Sequence, residues 1–490
     1  MNKNKFSKVI SWLGLAAIAC GIMLTTGIPA NADTPLHYTE LELPPLPEVE
    51  LPEYDRYELD NGMVVYLVED RDFPLIGGTA IIRTGSRFEP ANKVGLARLT
   101  GTVMRSGGTK NHPAEELNDI LEQKAASVEA DMGATSGSVS FSTLTEDLDT
   151  VFQLFAEVIR QPAFAPEKLA LAKNQTKGAI SRRNDDPGDI AAREFDKLIY
   201  GETSPYARTA EYATIDNISR EDAIDFYSEY VRPENIILGI AGDFDKDEMK
   251  DRIDSTFADW EIESEVMAVD APPATQKYES GVFLVDRPEL TQSNVFLGHL
   301  GGQFDSPDYP ALSLLNGVLN GFGGRLFNEV RSRQGLAYSV YGYWSPSYDF
   351  DGKFIAGGQT QSNSTVPFIR AIKAEIEKLR TTPVGEEELA NAKESILNSF
   401  VFNFQNPSQT LSRLMRYEYF GYPEDFIFDY QKEIKKTTAE DVLEVAQEYL
   451  QPEKIVTLVV GNSQAIQPPL SSLQQEVTTV DISIPTEAKS

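Results

Sequence analysis

The sequence predicts an α+β protein of two homologous domains, each a mainly antiparallel sheet covered by helices. An internal duplication carries this reading. Tyr230-Val231-Arg232-Pro233-Glu234-Asn235-Ile236, running on to Gly242, returns as Tyr449-Leu450-Gln451-Pro452-Glu453-Lys454-Ile455, running on to Gly461. Upstream, Ser219-Arg220-Glu221-Asp222 returns as Thr438-Ala439-Glu440-Asp441, each a helix N-cap followed by first-turn acids. Residues 169–173, LALAK, return as 389–393, LANAK. The period of about 219 is too long for a solenoid and fits a duplicated domain. The second observation is that each half repeats one order of strands and helices, with helices segregated beside an antiparallel sheet. Length agrees, since 490 residues exceed one ordinary core. Hydrophobic content of 41% with 10% aromatics is that of a globular chain.

Residues 1–32 read as an export signal. Lys3, Lys5 and Lys8 precede a largely apolar run over 9–28, and Ala30-Asn31-Ala32 is an A-x-A cleavage site. The mature chain is expected to start at Asp33, in a periplasm or outside the cell. A retained anchor is the alternative, because the run approaches spanning length; Gly14, Gly21, Gly27 and Pro29 weaken it. Cys20 is the only cysteine and leaves with the signal, so no disulfide, cysteine nucleophile or thiolate metal site is expected. Residues 33–55, rich in Leu-Pro steps, form an extended arm. The first domain, 56–260, has strands at 63–69 and 77–83, a helix near 93–106, an antiparallel pair within 127–144, further helices, and a terminal strand at 236–241. Residues 261–280 are acidic, carry Pro272-Pro273 and lack periodicity, so they read as a linker. The second domain, 281–465, has strands at 282–285 and 293–300, a helix over 308–331, strands within 337–361, and a terminal strand at 455–460. The tail, 466–490, is polar and expected to be loosely ordered.

A net charge of −31 excludes nucleic acid as a partner, since phosphates need basic patches. It could steer basic peptides, or serve only solubility. The three histidines, His37, His112 and His299, include no pair at ligand spacing. Glu115-Glu116 and Asp185-Asp186 are sequence neighbours, not an acid/base dyad, and no G-x-S-x-G is present.

Residues 85–110 carry the sharpest signal. Gly85, Ser86, Arg87 and Glu89, then Gly95-Leu96-Ala97, then Gly108-Thr109-Lys110, resemble the M16 (pitrilysin-type, inverted-zincin) peptidase family. In that family the helix after the GLA-like triplet carries H-x-x-E-H. Histidines at i and i+4 share a helix face and can grip one zinc, which acidifies a bound water, and the glutamate takes its proton. Here the five positions read Arg98-Leu99-Thr100-Gly101-Thr102. The ligand positions are Arg98 and Thr102, the base position is Gly101, and the third-ligand position on a later helix is Ala179. No metal or cofactor is therefore expected on this chain. The resemblance implies that the two domains face each other as a clamshell, and that a chamber takes four such domains from two chains, with zinc in a partner subunit.

The second region is 320–344. Leu312, Leu315, Val318, Leu319, Phe322 and Leu326 follow helical spacing, and Gln334-Gly335 stops the helix. Gly321-Phe322-Gly323-Gly324 lacks the Lys-Ser/Thr of a phosphate loop and reads as close packing of helix backbones. The run Arg331-Ser332-Arg333-Gln334-Gly335-Leu336-Ala337-Tyr338 resembles an M16 segment whose arginine and tyrosine lean into the active site from the half opposite the zinc. Arg331 and Tyr338 match those positions, and Arg333 is the weaker candidate. Guanidinium and phenol are donors suited to a peptide carbonyl or its oxyanion. Composition alone reads them as a helix-terminal arginine and a half-buried strand tyrosine. The expected function is a non-catalytic, substrate-positioning subunit that forms a heterodimer with a zinc-bearing homologue and takes peptide substrates, bound by strand addition to a sheet edge. The alternative is a catalytically inactive peptide-binding or assembly protein on the same scaffold.

Overall fold

A run of alternating buried residues over Leu75–Ile82 and a wholly buried run over Ile236–Gly242 mark the centre of the first of two six-stranded sheets. The computed structural model describes residues 49, 51–260, 262, 270–321 and 323–485. The export signal, residues 33–48 of the arm, most of 261–269 and the end of the tail lie outside the described residues. Among the described residues no helix is long and apolar enough to cross a membrane.

The first sheet contains β1 (Asp55–Glu58), β2 (Val64–Glu69), β3 (Leu75–Ile82), β4 (Ser127–Met132), β5 (Gly137–Leu144) and β6 (Ile236–Gly242), in the order β1-β2-β6-β3-β5-β4. The second contains β7 (Gly281–Asp286), β8 (Gln292–Leu300), β9 (Ala337–Ser345), β10 (Lys353–Gln361), β11 (Val456–Gly461) and β12 (Val477–Thr479), in the order β12-β7-β11-β8-β10-β9. The sheets are mixed: β2 and β6 run parallel, as do β7 with β11 and β12 with β7, and the other pairs are antiparallel. The duplication shows in matched detail. Ser219 and Thr438 each cap a helix reciprocally, accepting from the N–H of Asp222 and Asp441 at 3.1 and 3.2 Å.

Six helices position the candidate site and join the two halves: α1 (Leu96–Ser106), α2 (Pro166–Arg182), α3 (Pro187–Tyr200), α4 (Tyr309–Leu319), α5 (Glu386–Ser399) and α6 (Pro407–Phe420). Two of them are exchanged. Helix α3 leaves the first half and packs on β8 and β11 of the second, burying Ile190, Phe195 and Ile199 against Val456, Leu458 and Val460. Helix α6 leaves the second half and packs on β2 and β6 of the first, setting Leu411, Leu414 and Met415 against Tyr66, Ile237 and Ala241. This is why β6 and β11 are buried on both faces and read as continuous apolar runs. Each exchanged helix starts on an Asx cap followed by proline, Asp186-Pro187 and Asn406-Pro407.

Polar contacts fix the exchange. Arg56 donates to both Glu418 carboxylate oxygens at 2.8 and 3.1 Å, and the Tyr66 hydroxyl donates to Glu418 Oε2 at 2.8 Å. Hydrogen bonding from Arg56 holds the Glu418 carboxyl below the usual range. A depressed folded-state pKa means a contribution present above the unfolded value of about 4.3 and lost as pH falls through the folded value. Glu418→Gln should therefore cost about 1 kcal/mol at pH 7 and flatten the acid limb of stability against pH, read from urea midpoints between pH 7 and pH 3. An unchanged acid limb would contradict this assignment.

Four expectations are corrected. The helix over 308–331 is two elements, α4 and a π-helix over Leu326–Arg333, because the chain breaks at Asn320, whose backbone is extended. The glycines there form a tight turn rather than a contact between helices: a Cβ at Gly321 or Gly323 would meet nothing within 4 Å, and one at Gly324 would lie 2.4 Å from the carbonyl carbon of Asn320, four residues back. Up to residue 485 the tail is docked rather than loose. Strand β12 pairs with β7, Val480 and Ile482 pack on the α3 cluster, and Asn184 Nδ2 donates to the Ile482 carbonyl at 2.7 Å. Val480, Ile482 and Ile484 alternate with polar residues, a period-two signal hidden by polar composition. The end of the 261–280 stretch is likewise docked, with Gln276 accepting from Leu300 N–H at 2.8 Å and donating to the Lys454 carbonyl at 2.9 Å.

Candidate functional site

The GLA triplet opens α1 in an unusual way. Gly95 takes φ +107, and the buried carboxylate of Glu89 accepts from the N–H groups of Gly95 and Ala97, both at 2.9 Å. Glu89 thus caps the helix from six residues upstream, where an anion also suits the dipole. Burial raises its pKa, opposed by those backbone donors. Arg208 donates to the carbonyls of Ser86 and Glu89 at 2.5 and 2.7 Å, and Arg87 pairs with Asp349 of the second half at 2.6 Å. The motif residues around the lost zinc helix are therefore structural.

On α1, Arg98 is exposed and Thr102 half-buried, one turn apart on the outer face. The Thr102 hydroxyl donates to the Arg98 carbonyl at 2.9 Å, a bond internal to the helix. Gly101 lies about 60° around the helix from Arg98, on the flank turned to the sheet. A Cβ there would lie 2.6 Å from Met132 N and 2.8 Å from Asp131 C, so α1 rests directly on the backbone of edge strand β4. Ala179 is exposed on α2, which packs beside α1. These residues do not fit a zinc ion: three positions offer no ligating side chain beyond a hydroxyl already in use, and the position of the base is closed by backbone. Among the described residues no three His, Cys, Asp or Glu side chains converge as a metal-holding group. His112 bonds Glu157 at 2.8 Å. His299 is buried, its pKa lowered by desolvation, and bonds the Leu300 carbonyl and Gln451 N–H.

The structure brings Arg331 and Tyr338 together. The guanidinium carbon of Arg331 lies 5.0 Å from the Phe327 ring centroid and 5.6 Å from that of Tyr338, a cation held over two rings. The π-helix and a bulge both contribute. Gln334 N–H donates to the Glu329 carbonyl at 3.1 Å, the i to i+5 bond of a π-helix, a form frequent at functional sites. In the β9–β10 pair Ser339 faces Gln359 and Ala337 faces Thr360, leaving Tyr338 as an extra residue. Such a bulge re-aims a side chain. Ala337 and Val340 pack on the second core, and Tyr338 is 76% exposed. Arg333 differs from its neighbour, because it is paired with Glu329.

Sequence reasoning missed Asn316 and Asn320. The Asn316 amide donates to the Trp344 carbonyl and accepts from its N–H at 2.9 and 2.7 Å, and Asn320 does the same to Gly342 at 2.5 and 3.0 Å. Edge strand β9 is closed along that stretch, so strand addition there is blocked, while the end bearing Tyr338 is left clear. The period of about 219 places Asn320 opposite Gly101, so both halves lay a helix against an edge strand, one through an amide and the other through bare backbone.

Comparison with known proteins agrees with this geometry. Residues 79–204 match the family model described as Insulinase (Peptidase family M16), and residues 217–396 match that described as Peptidase M16 inactive domain. A Bacillus subtilis relative named "Uncharacterized zinc protease YmxG" is 25% identical over 73% of this chain and 86% of its own. A Helicobacter pylori relative named "Non-peptidase homolog YmxG" is 23% identical over 83% and 93%. A crystal structure titled as a peptidase M16 inactive domain from Pseudomonas fluorescens superposes with a TM-score of 0.76 at 24% identity, covering 85% of this chain and all of that one. The fold is the expected clamshell of two α+β halves, each with a mixed sheet. The chain belongs to the M16 peptidase family, as a member whose zinc-motif helix carries none of the residues that bind metal or move the proton.

Proposed function

We propose that this chain is the non-catalytic, substrate-positioning subunit of an exported two-chain M16-type zinc peptidase. The observation that carries the reading is an asymmetry between the halves. On α1 the base position is closed by the backbone of β4, whereas Arg331 and Tyr338 are paired, exposed and aimed outward by a bulge. A chain that had lost all peptidase-related function would have no use for the second arrangement. In the complex, Arg331 and Tyr338 donate to the carbonyl of a peptide held near the partner's zinc, and the partner performs hydrolysis. Strand addition is left to the Tyr338 end of β9, since α1 covers the outer edge of β4, where Arg105 donates to the Val128 carbonyl at 2.5 Å. The leader at 1–32 supports export. The alternative is a peptide-binding or assembly protein with no part in turnover.

The test is to purify the mature chain with its natural associates and measure metal and peptidase activity. The expected result is a chain that is inactive alone and a complex, with a zinc-bearing homologue, that cleaves oligopeptides. A chain that purifies without such a homologue, and that no M16 partner activates, contradicts the subunit reading and leaves the alternative.

A further inference from the structure

One cavity is chemically unlike the rest of this acidic chain. It lies where α6, the Phe400–Phe404 turn and Tyr348 of the β9–β10 hairpin meet, and its volume is ≈ 350 Å³. Arg413 and Arg416, one helical turn apart, line it together with Phe402, Asn403 and Gln409. Among the described residues no acidic one lines it, although the chain has 75 aspartates and glutamates. Four other cavities of ≈ 290 to ≈ 550 Å³ each carry at least one carboxylate.

Both arginines are held ready by neutral partners. Arg413 donates to Asn403 Oδ1 at 2.7 Å, lies 5.9 Å from the Phe404 ring centroid and is hydrogen-bonded to the Tyr417 side chain. Arg416 is exposed and lies 5.8 Å from the ring centroid of Tyr348. That ring is itself fixed between Phe304 and Phe420, at 4.6 and 4.7 Å. Two planar guanidinium groups match a carboxylate. Phe402, 62% exposed, offers an apolar wall beside them. The volume is at the small end of the range for ligand pockets, about 300–1,000 Å³, which suits a chain end and excludes a folded partner.

We infer that this cavity binds the C-terminal carboxylate of a peptide together with its last apolar side chain. The inference deepens the peptide-handling reading above and rests on it for the identity of the natural ligand.

The experiment uses small probes that do not need the chamber. N-acetyl-phenylalanine, its amide, and the α-amide of N-acetyl-aspartate are titrated into the purified mature chain at low salt by calorimetry. The free acid is expected to bind at least about tenfold more tightly than either amide, the loss of one charge-assisted contact. Arg416→Ala should bring the acid down to the level of its amide, with Arg416→Lys intermediate. Arg416 is exposed, so the melting midpoint should not move. Equal binding of acid and amide, equal binding of the aspartyl probe, or equal competition by inorganic phosphate would each overturn the chain-end assignment. Failure of these probes leaves peptide turnover with the partner intact, and failure of turnover leaves probe binding intact, so the two readings fall separately.

Discussion

Arg331→Ala and Tyr338→Phe, each introduced into this chain and assayed in complex with the proposed zinc-bearing M16 partner, are expected to lower kcat by about 10²-fold without moving the melting midpoint. The magnitude is that of removing one preorganised donor from an oxyanion site, about 10²–10³ in kcat. The unchanged stability follows from exposure: Arg331 and Tyr338 are both on the surface, where substitutions shift stability by less than about 0.5 kcal/mol. Tyr338→Phe keeps the ring over which Arg331 lies, so it isolates the hydroxyl. Arg331→Lys should not rescue, because an ammonium lacks the planar fork and stacks poorly between Phe327 and Tyr338. The double variant should lose less than the product of the singles, since the two act as one unit. Arg333→Ala is the control, its charge being already engaged by Glu329. Turnover within about twofold of wild type in both single variants would dispose of the assigned role.

Restoring the zinc motif should fail, and should unfold the protein in the attempt. Gly101→Glu places a Cβ 2.6 Å from Met132 N and 2.8 Å from Asp131 C. Both atoms are backbone, which cannot rotate aside as a side chain tip can. Helix α1 must lift from β4, and the strain together with a carboxylate against strand backbone is expected to cost about 3 kcal/mol or more. Gly101→Ala separates the contributions, since it carries the steric part alone. The triple variant Arg98→His, Gly101→Glu, Thr102→His should not purify with stoichiometric zinc, because Ala179 supplies no third ligand. Denaturant midpoints and metal content measure the two outcomes. A Gly101→Glu protein as stable as wild type would show that α1 stands off β4 and that the motif was lost without structural consequence.

Much of the fold was legible. The repeated Tyr-x-x-Pro-Glu segments located both terminal strands, and the N-cap signals at Ser219 and Thr438 were met as capping boxes. Burial alternates along β3, β5 and most of β10, which turn one face to a core, whereas β8 is buried on both faces because α3 covers it. The exchange of α3 and α6 was not legible, although Asp186-Pro187 and Asn406-Pro407 repeat at the same period. An apolar stripe tells a helix that it must be covered and does not tell it which sheet will do so. The break after Leu319 was missed because Phe322 and Leu326 keep apolar spacing across it. Asn316 and Asn320 were missed because an asparagine on a helix reads as solvent-facing until a strand edge lies beside it.

What the sequence determined by itself is the loss of chemistry on α1. Ligation and proton transfer are properties of side-chain identity, and Arg98, Gly101, Thr102 and Ala179 lack the atoms whatever the fold. The tertiary structure decided two further matters. It showed that the vacated position at Gly101 cannot be refilled, because α1 and β4, 30 residues apart in the chain, meet at backbone contact. It also aimed Tyr338 at Arg331 through a single extra residue in β9, where alternation alone would have turned that ring onto the core with Val340. Distances between segments and a one-residue change of register are written in packing, and packing is decided only when the whole chain has folded.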